Sequence, residues 1–148
     1  NESYIPVTTL TKGIIPSEIA DMKQIGRSMN EYGVSLVSMD ENFREYYEPH
    51  SAPNYRRIQA LEHLHSQGFK TYVSIEPYPT PNIINQDIYE VLEAIRFADK
   101  IIFGRMNYNR KVTEYKDYQE YYREMTYLVT DFCRRNNIEW HIKQGTIR

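Results

Sequence analysis

The sequence predicts an α/β fold in which a parallel sheet of about five strands alternates with about four helices. Three observations predict it. Short runs of β-branched and aromatic residues alternate strictly with helical patterns along the chain. Successive strands begin about 30 to 40 residues apart, the size of one β/α barrel unit. The 148 residues suit one domain, 1–148, yet fall short of the ~250 of a complete eightfold barrel. The expected architecture is therefore a half (partial TIM) barrel. The pattern alone leaves an open doubly wound sheet as the other solution, and both place ligands at the carboxyl ends of the strands.

The first strand is expected over Ile5 to Leu10. Pro16-Ser17 opens a helix, with Ser17 as N-cap and Ile19, Met22, Ile25 and Met29 as its apolar stripe. Gly33 reads as its stop. The second strand is Val34 to Ser38. After a polar stretch, Met39 to Asn54, Pro53 suits the first turn of a helix whose apolar face is Ile58, Leu61 and Leu64, ended by Gly68. The third strand, Lys70 to Ile75, is stopped by Pro77, Pro79 and Pro81. Asn85 is the expected cap of a helix burying Ile88, Val91, Leu92 and Ile95. The fourth strand is Lys100 to Phe103, closed by Gly104, and a loop follows from Arg105 to Asp117. The clearest helix carries Tyr118, Tyr121, Tyr122, Met125, Leu128, Val129 and Phe132 on one face and ends at Asn136-Asn137. The fifth strand is Ile138 to Ile142.

Composition narrows the function. With 18 basic and 20 acidic residues the net charge is −2, which offers no bulk basic footprint for nucleic acid. There is no apolar run of membrane-span length and no basic-then-apolar leader pattern. A single cysteine, Cys133, permits no internal disulfide and no thiolate cluster, which fits a cytoplasmic setting. It neighbours Phe132 and reads as an inert buried thiol. His63 and His65 are two apart on a helix, and His50 and His141 are isolated, so no metal site is expected. The glycines form neither a phosphate loop nor a dinucleotide fingerprint. The pair Arg56-Arg57 reads as a solvated helix face.

The strand tips supply the candidate site. They bring Thr9, Thr11 and Lys12; Ser38, Asp40 and Glu41; Ser74 and Glu76; Arg105, Asn107, Tyr108 and Asn109; and Lys143 and Gln144. Glu76 is the sharpest, either accepting hydrogen bonds from a ligand or pairing with a neighbouring cation such as Arg105. Lys12, before Gly13, suits a carboxylate or phosphate. Asn107 and Asn109 are ligand contacts or turn formers. Ser38 either bonds a ligand or satisfies the backbone.

The segments Thr8-Thr9-Leu10-Thr11-Lys12, Ser38-Met39-Asp40-Glu41, Glu48-Pro49, Ala52-Pro53, Arg57-Ile58-Gln59-Ala60-Leu61, Ser74-Ile75-Glu76-Pro77 and Phe103-Gly104-Arg105-Met106-Asn107 together resemble the radical S-adenosylmethionine enzymes, in the spore photoproduct lyase-like branch. The resemblance implies the later βα units of that barrel. It implies S-adenosylmethionine across the strand tips, contacted by Thr9, Lys12, Ser38, Glu76, Gly104, Arg105 and Asn107. Lys12 and Ser38 would hold the methionyl carboxylate or ribose, Glu76 would lie near the ribose or substrate, and Gly104 to Asn107 would flank the adenine. The family's three closely spaced cysteines and its glycine-rich second-strand motif are missing here. The implied chain is thus the C-terminal portion of a parent whose N-terminal half carries the 4Fe-4S cluster, inactive alone, with no cofactor expected on the fragment. Two rival readings remain: another barrel-type hydrolase or lyase using Glu76, and a non-enzymatic α/β domain that dimerises through its sheet edges.

Overall fold

The computed structural model describes residues 5–21 and 29–147. Five strands, β1 (Thr8–Thr11), β2 (Glu31–Ser35), β3 (Lys70–Tyr78), β4 (Lys100–Arg105) and β5 (Glu139–Ile142), form one sheet. All pairs are parallel and the spatial order is β1-β2-β3-β4-β5. This order resolves the ambiguity left by the sequence. A doubly wound sheet reverses strand order at a switch point, whereas this sheet advances in one direction, as a β/α barrel does. It is a half-barrel arrangement.

Among the described residues the connections carry a 3₁₀ turn (Ser17–Asp21) and five α-helices: α1 (Glu41–Tyr47), α2 (Asn54–Ser66), α3 (Ile88–Ala94), α4 (Arg110–Glu114) and α5 (Tyr118–Asn136). Two of them, α1 and α4, lie in segments expected to be loops. Asp40 caps α1 by accepting from the Asn42 and Phe43 amides, and Asn109 caps α4 through the Lys111 amide. Both helices are short and offer a single buried apolar residue each, Phe43 and Val112, so they leave no stripe to read.

Alternation and register divide the sheet into two faces. One presents Tyr32, Val34, Thr71, Val73, Ile75, Ile101 and Phe103, all buried. Against it pack Leu61 and Leu64 of α2, Val91 and Leu92 of α3, and Val129 and Phe132 of α5. The periodic stripes expected of these helices are therefore the core. The opposite face carries Glu31, Gly33 and Ser35, then Lys70, Tyr72 and Ser74, then Lys100, Ile102 and Gly104, then Glu139 and His141. Apart from Ile102 and the Tyr72 ring it is small, polar and charged, as the lumen-side surface of a half-barrel is. At its amino-terminal rim Glu31 accepts from Lys70 and Lys100, each at 2.6 Å. The hydrogen bond from Lys100, then that from Lys70, holds the Glu31 carboxyl below its ordinary range.

Several expected boundaries move, each for a local reason. β1 is four residues of largely exposed edge, beginning three residues later and ending one later than predicted. Gly33 is no helix stop: it lies inside β2, paired with Leu10 and Tyr72, where the Tyr72 ring covers it. Likewise Gly104 does not close β4 but lies within it. β3 does not stop at Pro77; it runs on to Tyr78 through an irregular register, with a cis Glu76–Pro77 peptide. Pro53 is the N-cap of α2 rather than its first-turn residue. Asp87, not Asn85, caps α3 by accepting from Tyr89. Asn137 ends α5 in the left-handed conformation, φ 57°, which asparagine tolerates. Of the first predicted helix, Met22 and Ile25 lie outside the described residues. Among the described residues no helix is long and apolar enough to cross a membrane.

Candidate functional site at the strand tips

The carboxyl end of β1 leads directly into Lys12. Its backbone carbonyl accepts the Ala52 amide at 2.9 Å, and its ammonium meets Glu48 Oε1 at 2.9 Å. Glu48 is buried, and its other oxygen accepts from Arg57 at 3.1 Å. The Arg57 side chain has no solvent exposure. It also donates to the Ser35 carbonyl at the end of β2 and to Asn54 Oδ1. Burying a guanidinium is costly unless its donors are matched; three acceptors take its two terminal nitrogens here, while the buried Nε has no hydrogen-bond partner. The expectation that Arg57 is solvated is therefore overturned, while Arg56 is exposed. The reason is visible in the spacing: Arg57, Leu61 and Leu64 fall four and three residues apart on one helical stripe.

The loop between α1 and α2 is fixed from both ends. Arg44 donates to the Ser51 carbonyl at 3.1 Å, and Glu41 accepts the Asn54 amide at 2.7 Å while pairing with Arg44. A cleft of about 490 Å³ opens beside Lys12, bounded by Tyr47, Glu48, His50 and Ser51. Lys12 remains about half exposed, so its ammonium is both anchored and presented. Sequence reasoning found Lys12 but missed Glu48 and Arg57 as its support.

Further along the rim, Glu76 pairs with a cation, but with Lys143 at 3.5 Å rather than Arg105, the partner offered in one of its two readings. Gly104 makes this possible: a Cβ there would lie 2.8 Å from Glu76 Cδ and 2.9 Å from Cγ. The Glu76 side chain thus crosses the next strand where that strand has no side chain. Arg105 instead donates through Nε to Asn107 Oδ1 at 2.7 Å, a local pair that turns the chain toward α4. Asn109 is a cap, the turn-forming role. A second cleft, about 380 Å³, lies there between Arg105, Tyr108, Arg110 and Tyr118.

The remaining expected residues are less involved. Ser38 is buried, and its hydroxyl accepts the Asp40 amide at 3.0 Å, the backbone-satisfying alternative. Thr9 lies within β1 rather than at its tip, and its hydroxyl donates to the Glu31 carbonyl at 3.5 Å. Ser74 is buried on the lumen side, while the neighbouring Ser35 hydroxyl donates to the Glu76 carbonyl at 3.2 Å.

The donor set differs between cofactors. For an organic anion, Lys12 beside its cleft is a fitting partner. For an iron–sulfur cluster the residues do not fit. Cys133 is fully buried, and burial pushes its thiol up to about 11. Among the described residues no group of three or more His, Cys, Asp or Glu is arranged to hold a metal ion.

No family model matches the chain, and no solved structure does. Two curated proteins are similar. One is the uncharacterized protein ORF301 of Acidianus two-tailed virus, 27% identical over 105 residues, covering 68% of this chain and 35% of the relative. The other is the uncharacterized protein MJ0683 of Methanocaldococcus jannaschii, 31% identical over 90 residues, covering 61% and 34%. The match spans about a third of the length of these relatives.

Proposed function

We propose that this chain supplies the later βα units of a radical S-adenosylmethionine enzyme, where it orients the cofactor and the substrate. The observation that carries the reading is Lys12, held at a strand tip by the buried Glu48–Arg57 pair in a sheet whose strands advance in barrel order. Lys12 is the group for the methionyl carboxylate. Glu76, kept in place by Lys143 and the gap at Gly104, faces the ribose or substrate, and the Gly104 to Asn107 backbone flanks the adenine. S-adenosylmethionine, when bound, supplies the hydrogen-abstracting 5′-deoxyadenosyl group. This chain's residues contribute binding and orientation only, since the 4Fe-4S cluster must be held by the N-terminal half of the parent.

The test is made on the full-length gene product, reconstituted anaerobically with iron and sulfide. The reading predicts a cluster spectrum, reductive release of 5′-deoxyadenosine, and loss of most of that release in Lys12→Ala. A full-length protein that shows neither cluster nor 5′-deoxyadenosine overturns it. One observation favours a second reading, a barrel-type hydrolase or lyase. Glu76 and Lys143 form a carboxylate–cation pair at 3.5 Å, partly open to solvent. Turnover that needs no iron and is lost in Glu76→Gln would select it.

A further inference from the structure

Lys12, Glu48 and Arg57 form a chain of alternating charge: cation, carboxylate, cation. Lys12 and Glu48 alone would be a neutral pair, and a neutral pair exerts little pull on an incoming anion. Arg57 changes that balance. It sits behind Glu48, without solvent exposure, and its bonds to the Ser35 carbonyl and Asn54 Oδ1 are to uncharged acceptors. The triad therefore carries one net positive charge, and the only member that reaches the cleft as a cation is Lys12. The flanking ionic groups leave this balance in place. Arg44, which also faces Glu48 from α1, is paired with Glu41 and Glu45; Glu41 also faces Arg57 but is balanced by its hydrogen-bonded partner Arg44, and Glu45 is largely exposed, where solvent screens it.

We infer that Arg57 is a positioning residue that fixes the charge of the Lys12 site, making it a receptor for a single carboxylate. Arg57 never touches the ligand. It holds Glu48 against the protein interior, so that Glu48 orients Lys12 without cancelling it. The identity of the carboxylate as that of S-adenosylmethionine rests on the proposed function, but the charge rule does not. A buried arginine retained at the cost of its desolvation has here a use that a well-packed apolar side chain would not serve.

The rule is tested by neutralising members of the triad one at a time and together in the chain itself. N-acetyl-L-methionine and N-acetyl-L-methioninamide, which differ only in carboxylate against amide, are titrated separately by NMR shift perturbation of the Lys12 and His50 amides. The wild type is expected to prefer the carboxylate by about tenfold. Arg57→Met, with a neutral triad, should bring the ratio close to one. The double variant E48Q/R57M restores one net positive charge and should recover most of the preference, while E48Q alone should equal or exceed the wild type. Circular dichroism at the titration temperature confirms that each variant is folded. If R57M does not fold, the comparison of E48Q and the double variant decides: removal of Arg57 from E48Q must lower the ratio toward the wild-type value. A ratio that ignores these charges, or a wild type that does not distinguish the two probes, overturns the inference. Absence of 5′-deoxyadenosine from the full-length protein, with the charge rule obeyed, would overturn only the proposed function.

Discussion

Gly33→Ala is the substitution whose cost is most directly set by geometry. A Cβ at this position would lie 2.4 Å from Tyr72 Cζ and 2.5 Å from its two ε carbons, so it would enter the face of the ring. Carbon atoms rest about 3.5–4.0 Å apart, and the ring must therefore retreat by more than ~1 Å. It has little freedom to do so. Tyr72 is 4% exposed, its hydroxyl donates to the Thr9 carbonyl at 2.8 Å, and Lys100 lies over the ring at 5.4 Å. Overpacking of this kind costs about 1–3 kcal/mol, and a broken Tyr72–Thr9 bond adds about 1 kcal/mol. The alanine methyl returns about 0.5–1 kcal/mol through the unfolded chain. The net loss is about 1–3.5 kcal/mol, equivalent to a fall in Tm of roughly 3–12 °C. Urea denaturation followed by circular dichroism measures it. The double variant with Tyr72→Ala should fall short of additivity by about 1 kcal/mol or more, because the methyl then enters vacated space. A Gly33→Ala protein as stable as the wild type, or more stable, would refute the reasoning, since the backbone term alone predicts a gain.

Arg57→Met should cost up to about 3–5 kcal/mol, because the buried Glu48 then keeps only the half-exposed Lys12 as its cation, and E48Q/R57M should regain most of that loss; urea unfolding of the three proteins checks both. Glu31 is held below its usual pKa by Lys100 and Lys70, so it stabilises the fold above the unfolded value near 4.5, and that contribution is lost as pH falls through the lower folded value. Glu31→Gln should therefore be less stable at pH 7 and should lose less stability than the wild type as pH falls below the unfolded value near 4.5, which a pH series of thermal melts reads. The buried Cys133 thiol, pushed up to about 11, should resist iodoacetamide at pH 8 in the native protein and react in urea. Native labelling at the unfolded rate would contradict its burial.

Legibility followed the range of the forces involved. Leu61 and Leu64, Val91 and Leu92, and Val129 and Phe132 were readable because helical periodicity is written within one turn, and all six are core. The strand order was not readable, since β/α units assemble equally into two topologies until the pairings are known. The glycines misled for the same reason. Gly33 and Gly104 are shaped by Tyr72 and Glu76 of the adjacent strand, a relation between residues about 30 to 40 apart in a β/α repeat. Arg57 had a local signal, its place on the stripe of Leu61 and Leu64, but its charge pointed to solvent. Only the acceptors gathered from Ser35, Glu48 and Asn54 make its burial tolerable. At the site, Lys12 and Glu76 were legible as polar residues at strand tips, whereas their partners Glu48 and Lys143 depend on the tertiary fold.

The attachment of Lys12 has a bearing on how the site withstands thermal opening. β1 is an edge of four largely exposed residues, the kind of element that frays at a fraction of the global unfolding free energy. Lys12 follows it directly, yet its carbonyl is bound by Ala52 and its ammonium by Glu48. The cation thus inherits its position from the segment that contains α1 and the start of α2. Breathing of the β1 edge leaves the charge in place, whereas slackening of the Glu48 loop releases it while the sheet stays intact. Local stability at this rim is set by the loop rather than by the strand, and amide exchange at Ala52 should report it more faithfully than exchange at Thr9 or Leu10.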